Sequence, residues 1–577
     1  MKMTANQRYG APDADADNRL APSASTPSRS ATSWTVMSVM LLLAALFLIW
    51  FISLGTRSLI TPDEGRYATL ALEMARTGDW VTPRLNGLLY FEKPVFQYWV
   101  GALAFLALGV SDFTARLWPG VAGFLTVLAV GFTAGRLWSR ETGIRTLAIA
   151  ASMTWIAGNS HFLTLDAGLT LFLTLALCAM LLANDSATSD ARARRGWIWL
   201  AWAAMAGAVL SKGLVGIAIP GAVLVFVSIW RRTTRLWRGM HWVSGLLIFF
   251  ALAAPWFVLV SARNPVFAQF FFIHEHLQRY LSNVHQREGA WWYYVPILLG
   301  GMLPWTGALP WLFRKGTADG GRPPIAARDI LLVWCVFIFL FFSASGSKLP
   351  SYILPMFPAL AMLVALQLRN ASASVLRWHL LLPVLAWVLV FVLSTQVDRF
   401  ASLTTPAEML APIAVAIRVG GAVFLVGAAF AWWLLGRRKV TAAVLSLAFC
   451  HLIGTLVVLQ SHDTYGQLKS AATFAPILQR EITADTPVFS VRTYDQTLPF
   501  YLGRPVTLVE YIDEFALGEV EEPNRWIKTL DEFVTRWQSL PQAAAYMGRD
   551  TWMELQQRGL PMRIVYEDQR RVVVTRK

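Results

Sequence analysis

The residues able to do chemistry lie in a few short polar islands. The first, Thr61-Pro62-Asp63-Glu64-Gly65-Arg66-Tyr67, sets two carboxylates beside a guanidinium and a phenol. Thr61 as N-cap, Pro62 at the first helical position and Glu64 in the third predict a capping box and a helix start. Tyr67, Leu70, Ala71 and Met74 then recur at helical spacing, which suits an amphipathic helix lying on a membrane surface. That cap uses Thr61 and Glu64 and leaves Asp63 to face a cavity, although both acids also suit the positive end of a helix dipole. The second island, Tyr90-Phe91-Glu92-Lys93-Pro94, sets an acid and a base at the start of an apolar helix. Such a place binds phosphate, and an interfacial snorkelling pair is the plainer alternative.

Asp166 stands just inside an apolar run, where a carboxylate is expensive unless paired or wet. Lys212 has only Ser211 and Gly213 as neighbours between two apolar runs, and Lys348 lies in Ser345-Gly346-Ser347-Lys348-Leu349-Pro350-Ser351-Tyr352. Both read as isolated cations, suited to a lipid-linked phosphate or to headgroup anchoring. In His274-Glu275-His276 the two histidines share a face only if the segment is extended, a weak metal signal; one of them with Glu92 could hold a metal.

The elements that must position these groups are membrane spans. The chain has 577 residues, of which 56% are hydrophobic and 15% charged, and its mean hydropathy of +0.48 excludes a water-soluble globular class. The net charge of +15 comes from arginines in short loops rather than on one wet face, which argues against a nucleic-acid partner. Cys178, Cys335 and Cys450 fall in apolar runs without metal-ligand or disulfide spacing. Residues 1–34 read as a disordered cytoplasmic tail, and Trp34 to Leu54 as a retained anchor. Apolar runs follow near 93–110, 117–135, 146–160, 165–183, 197–211, 213–230, 242–261, 291–313, 329–344, 350–368, 376–394, 411–435 and 440–461.

Basic connectors such as Arg136/Arg140/Arg145 and Arg231/Arg232/Arg235/Arg238 mark the cytoplasmic side, with two runs between successive connectors. Three runs precede Arg136, an odd number, so one of them should not span; 93–110, opening with Glu92-Lys93-Pro94, is the choice. About thirteen spans result, over 35–461, with loops 56–92 and 262–290 and the C-terminus outside. Residues 462–577 form a small α/β domain, with a strand at 488–491, a helix over 524–540 and a closing strand pair at 562–566 and 571–574. No repeat of 20 to 50 residues, dinucleotide fingerprint or Walker motif is present, so no nucleotide cofactor is expected.

Thr61-Pro62-Asp63-Glu64 with Arg66-Tyr67, Phe91-Glu92-Lys93-Pro94, Asp166, and Ser347-Lys348-Leu349-Pro350-Ser351-Tyr352-Ile353-Leu354-Pro355 together resemble the bacterial aminoarabinose transferases of lipid A. These belong to the GT-C, protein-mannosyltransferase-like superfamily, and the resemblance covers about 35–460. It implies an all-α polytopic inner-membrane enzyme that moves 4-amino-4-deoxy-L-arabinose from undecaprenyl phosphate to a lipid A phosphate at the periplasmic face, and a single displacement in that reaction inverts the anomeric configuration. Such capping removes negative charge and confers polymyxin resistance. By the same resemblance Asp63 is the main catalytic carboxylate and Asp166 its helper. Arg66, Lys93, Lys212 and Lys348 bind phosphate, Tyr67, Tyr90 and Tyr352 bind substrate, and Glu92 with His276 forms a divalent-metal site. The rivals are another polyprenyl-phosphate-sugar transferase acting on protein or glycan, and a transporter. Charges near run ends on one outer face, rather than at the bilayer midplane, favour catalysis over transport.

Overall fold

The computed structural model describes residues 35–185, 190–278, 289–312, 325–369, 371–402 and 405–576, without the side chains of 275–278. The expected N-terminal tail 1–34 lies outside the described residues.

Nine helices build the half of the chain that carries most of the polar islands. They are α1 (Val36–Phe51), α2 (Asp63–Thr77), α3 (Phe96–Leu108), α4 (Asp112–Leu137), α5 (Arg140–Ser152), α6 (Thr154–Asn159), α7 (Leu165–Asn184), α8 (Ala191–Lys212) and α9 (Val215–Arg231). Between α2 and α3 lies a hairpin of β1 (Arg84–Leu85) and β2 (Leu88–Leu89). Among the described residues eight helices are long and apolar enough to cross a bilayer, or nine if the pair Tyr294–Gly301 and Thr306–Leu312, bent by 111°, is one span.

Apolar run length and the parity of the basic connectors give about thirteen spans, and some of those runs form helices too short or too broken to meet that length on their own. The run 146–160 is interrupted by extended backbone at Met153, which separates α5 from α6. The run 291–313 bends, and α1 and α9 have only 16 and 17 residues. The run 93–110, left out of the thirteen, becomes α3, 13 residues and therefore about 20 Å long, which is short of the ~30 Å hydrocarbon core.

Helix α7 is apolar on every side and buried on nearly all of them, as expected of a central bundle helix. Small residues let the bundle's helices close in. A Cβ at Gly123 of α4 would lie 1.8 Å from Ser160 Oγ, and one at Gly420 would lie 2.6 Å from the Gly454 carbonyl oxygen, where Ala407–Gly436 meets Val440–Gly466.

The C-terminal domain is a five-stranded sheet of β3 (Val488–Val491), β4 (Thr507–Val509), β5 (Ala543–Gly548), β6 (Arg563–Glu567) and β7 (Arg571–Arg576), in the order β4-β3-β5-β7-β6. The expected strand pair is present as antiparallel β6 and β7. The expected helix over 524–540 begins only at Leu530, because the Thr529 side chain caps it by accepting from the Glu532 N–H. Strand alternation divides the sheet between two cores. Phe489, Val491 and Val574 pack with Phe533 and Trp537 on one face, while Val488, Ala544, Tyr546 and Val573 join the core that contains α2 and α3.

Candidate functional site

Helix α2 begins otherwise than the sequence predicts. Pro62 precedes the first helical residue, Asp63, and no side chain caps the helix. The Thr61 hydroxyl donates instead to Gln496 of the C-terminal domain. Glu64 turns inward and takes a bidentate bond from Arg116 of α4, with Nε–Oε1 at 2.6 Å and Nη2–Oε2 at 2.8 Å. Glu64, Tyr67 and Leu70 to Leu72 of α2 are all buried, and Gly65 abuts the backbone of Gln496 and Thr497.

The Glu64–Arg116 pair is a hub. Arg116 also donates to the carbonyls of Leu54, Arg57 and Ser58, and the Leu163 N–H donates to Glu64 Oε1 at 3.0 Å. Burial alone would raise the Glu64 carboxyl pKa, but Arg116 and Arg57 hold it below its ordinary value. One carboxylate thus fixes both the residue after Asp63 and the loop that leads into α7 and Asp166.

Around Asp63 the structure assembles a first cluster. Arg66 Nη1 donates to Asp63 Oδ1 at 2.7 Å, and Arg66 Nε donates to Glu514 of the C-terminal domain. Gln496 Nε2 donates to Glu514 Oε1 at 2.6 Å. The Asp63 side chain is 48% exposed against 4% for Glu514, so Asp63 is the carboxylate that a ligand can reach. Tyr67 stacks on Tyr98 with ring centroids 6.3 Å apart. Burial, and after it the neighbouring acids Asp63 and Glu92, push the Tyr67 and Tyr90 phenols well above their ordinary pKa, leaving both neutral donors. Among the described residues the hydroxyls of Tyr90, Tyr98 and Tyr494 and the Gln97 amide are buried without a hydrogen-bond partner. Lys93 Nζ donates to the Glu92 carbonyl at 2.8 Å and lies 3.9 Å from the Glu92 carboxylate.

A second cluster forms where α7 begins. Lys212 at the end of α8 is not isolated: it is ion-paired with Asp166, and its ammonium lies 4.9 Å from the Tyr352 ring centroid. Both expectations about Asp166, paired or wet, are thereby narrowed to paired. Lys348 is buried and donates to the Ser345 carbonyl, so it too departs from the expected free cation. Tyr294 donates to the adjacent Leu349 carbonyl at 3.1 Å.

The expected metal pair is not brought together by described side chains. His276 falls in the helical stretch Gln269–Gln278, and its side chain lies outside the described residues. Among the described residues no three His, Cys, Asp or Glu side chains could hold a metal.

Sequence reasoning missed Arg57, Arg116, Gln496 and Glu514. For the arginines a signal existed, since the bias against outer cations that singled out Lys212 and Lys348 applies equally to Arg57 and Arg116. Glu514 lies in a polar stretch of a polar domain and has no such signal.

Residues 474–576 match the family described as the aminoarabinose transferase C-terminal domain, and residues 35–271 match the dolichyl-phosphate-mannose-protein mannosyltransferase family. The undecaprenyl phosphate-alpha-4-amino-4-deoxy-L-arabinose arabinosyl transferase of Pseudomonas paraeruginosa is 36% identical over 349 residues, covering 59% of this chain and 62% of that protein. The enzyme of the same name from Edwardsiella ictaluri is 37% identical over 328 residues, 56% of this chain and 58% of that protein. The matched part thus spans about three fifths of these curated relatives. The crystal structure of ArnT from Cupriavidus metallidurans bound to undecaprenyl phosphate superposes with a TM-score of 0.89 at 37% identity, covering 94% of this chain and 98% of that chain. Its apo form gives 0.87, with 93% and 97% covered.

Proposed function

Because the chain belongs to the aminoarabinose transferase family of the GT-C superfamily, we propose that it transfers 4-amino-4-deoxy-L-arabinose from undecaprenyl phosphate to a phosphate of lipid A. The reaction is proposed to occur at the periplasmic face of the inner membrane, a placement supported by the arginines of the opposite connectors. The observation that carries this reading is an exposed Asp63 carboxylate held by Arg66 beside buried, neutral tyrosines.

In the proposed step an acceptor phosphate oxygen attacks the anomeric carbon as the bond from that carbon to the undecaprenyl phosphate oxygen breaks. The sugar inverts, and undecaprenyl phosphate leaves with the bonding electrons. Positive charge builds on the ring in an oxocarbenium-like transition state, and in this proposal Asp63 stabilises it. A phosphate acceptor is already ionised near neutral pH, so Asp63 orients it and no strong base is needed. Arg66, Lys93, Lys212 and Lys348 take the phosphate charges, and Asp166 sets the position of Lys212. Tyr67, Tyr90 and Tyr352 offer hydroxyl and ring contacts to the sugar and lipid phosphates. Glu92 and His276 are proposed to bind a divalent cation that would neutralise phosphate charge. Elemental analysis of Glu92→Gln, with metal retained in full, would remove that part.

The test is transfer in reconstituted vesicles, read by mass spectrometry of lipid A. Asp63→Asn should keep the fold and lose on the order of 10²–10³-fold in rate. Undiminished addition of an aminopentose by the variant would overturn the mechanism, and a pentose of different mass would redirect the assignment to another polyprenyl-linked donor.

A further inference from the structure

Helices α7 and α8 carry polar groups at both ends. Asp166 and Lys212 mark one end. Eighteen residues along α7 from Asp166, roughly 27 Å at 1.5 Å per residue, lies Asn184, with Arg194 in the first turn of α8 nearby. A cavity of about 280 Å³ opens at this far end, lined by Asn184, Arg194, Arg235 and Arg238 together with apolar side chains that include Ile198 and Leu224.

The tendency of arginines to gather on one side of a membrane accounts for their presence in the connector, but not for three of them lining one cavity with an apolar wall. Arg231, the last residue of α9, is ion-paired with Asp329. Among the described residues Arg235 and Arg238 have no such carboxylate partner and are exposed. Guanidinium groups crowded together repel one another unless an anion lies among them. Planar guanidinium forks match phosphate oxygens, and the apolar wall suits the first carbons of a lipid. The volume is at the small end of ligand cavities, roughly 300–1,000 Å³, which fits a headgroup phosphate rather than a whole lipid.

We infer that this cavity is a second phosphate site, on the membrane face opposite Asp63 and Asp166, that holds the headgroup of an anionic membrane lipid. Native mass spectrometry of the full chain, released from detergent with added phosphatidylglycerol or phosphatidylcholine, tests it. Phosphatidylglycerol should be retained in preference to phosphatidylcholine, and Arg235→Gln/Arg238→Gln should weaken that retention by about tenfold. The variant should also keep wild-type transfer in phosphatidylcholine vesicles, which shows that it is folded. Millimolar inorganic phosphate that displaces the lipid would keep the phosphate site but assign it to a soluble anion. Equal retention of phosphatidylglycerol by the folded variant, or no preference for it in the wild type, would overturn the proposal.

Discussion

At the scale of single residues the second cluster makes the sharpest claim, because Asp166 and Lys212 are both largely buried and each neutralises the other. Removing one partner leaves an uncompensated charge, whereas removing both leaves none. Lys212→Met should therefore cost about 3–5 kcal/mol and lower the melting temperature. Asp166→Asn/Lys212→Met should recover most of that stability while transfer stays low. A double variant no more stable than the single one would show that the pair does not act as a unit. These two residues could be read from the sequence because a charge within an apolar run has few innocent explanations. Their pairing could not, since 46 residues separate them and only the packing of α7 on α8 brings them together. Glu64 was misread for a related reason. A local cap competes with a distant guanidinium, and Arg116 prevails because a buried bidentate ion pair satisfies more of the carboxylate than a backbone N–H does.

At the scale of elements, the hairpin between α2 and α3 joins the outer loop to the C-terminal domain. Asn86 and Gly87 form its two-residue turn with φ of 53° and 81°, the left-handed pair that an Asn-Gly turn favours. Asn86 exchanges two hydrogen bonds of 2.7 Å with the Val506 backbone, and the Gly87 N–H donates to both oxygens of Glu73 in α2, at 2.9 and 3.0 Å. Burial pushes the Glu73 carboxyl up to about 8 against an ordinary 4.5, with the Gly87 N–H and Arg84 acting in the opposite sense. Between those values the unfolded chain binds fewer protons than the folded one, so the contribution of Glu73 is complete below about 4.5 and is lost as pH rises through about 8. Glu73→Gln, neutral at every pH, should flatten the fall in melting temperature between about pH 5 and 8. A slope that is unchanged in the variant would assign the pH dependence to other groups. Elements of this kind divide by their legibility. Long apolar runs announce themselves by length, and strands such as β3 by β-branched and aromatic content. Breaks such as Met153 carry no glycine or proline and are fixed only by neighbours, here the Leu303 carbonyl that accepts from the Thr154 N–H.

At the scale of the whole molecule the C-terminal domain is part of the site rather than an appendage. It supplies Glu514 to Arg66 and Gln496 to Thr61, and one face of its sheet shares a core with α2. Tyr501 ties the same domain to the membrane helices, donating to Asp112 at 2.6 Å and accepting from the Leu59 N–H at 2.7 Å. A tight approach is at Gly65, where a Cβ would lie 2.5 Å from the Gln496 carbonyl carbon and the Thr497 nitrogen, both backbone atoms that cannot swing aside. Gly65→Ala must therefore push the domain from α2, at a cost of about 1–3 kcal/mol for overpacking. The same shift draws Glu514 away from Arg66 and loosens the hold on Asp63. Helix propensity works in the other direction, since alanine is favoured over glycine by about 1 kcal/mol in a helix. Gly158→Ala in α6, where a Cβ meets nothing within 4 Å, isolates that gain. Differential scanning calorimetry with a transfer assay should find Gly158→Ala neutral or stabilised and fully active, and Gly65→Ala destabilised with transfer reduced by more than its folded fraction explains. If Gly65→Ala melts like the wild type and transfers normally, the domain does not need this contact, and the link from the sheet through Glu514 to Asp63 is not what positions that carboxylate.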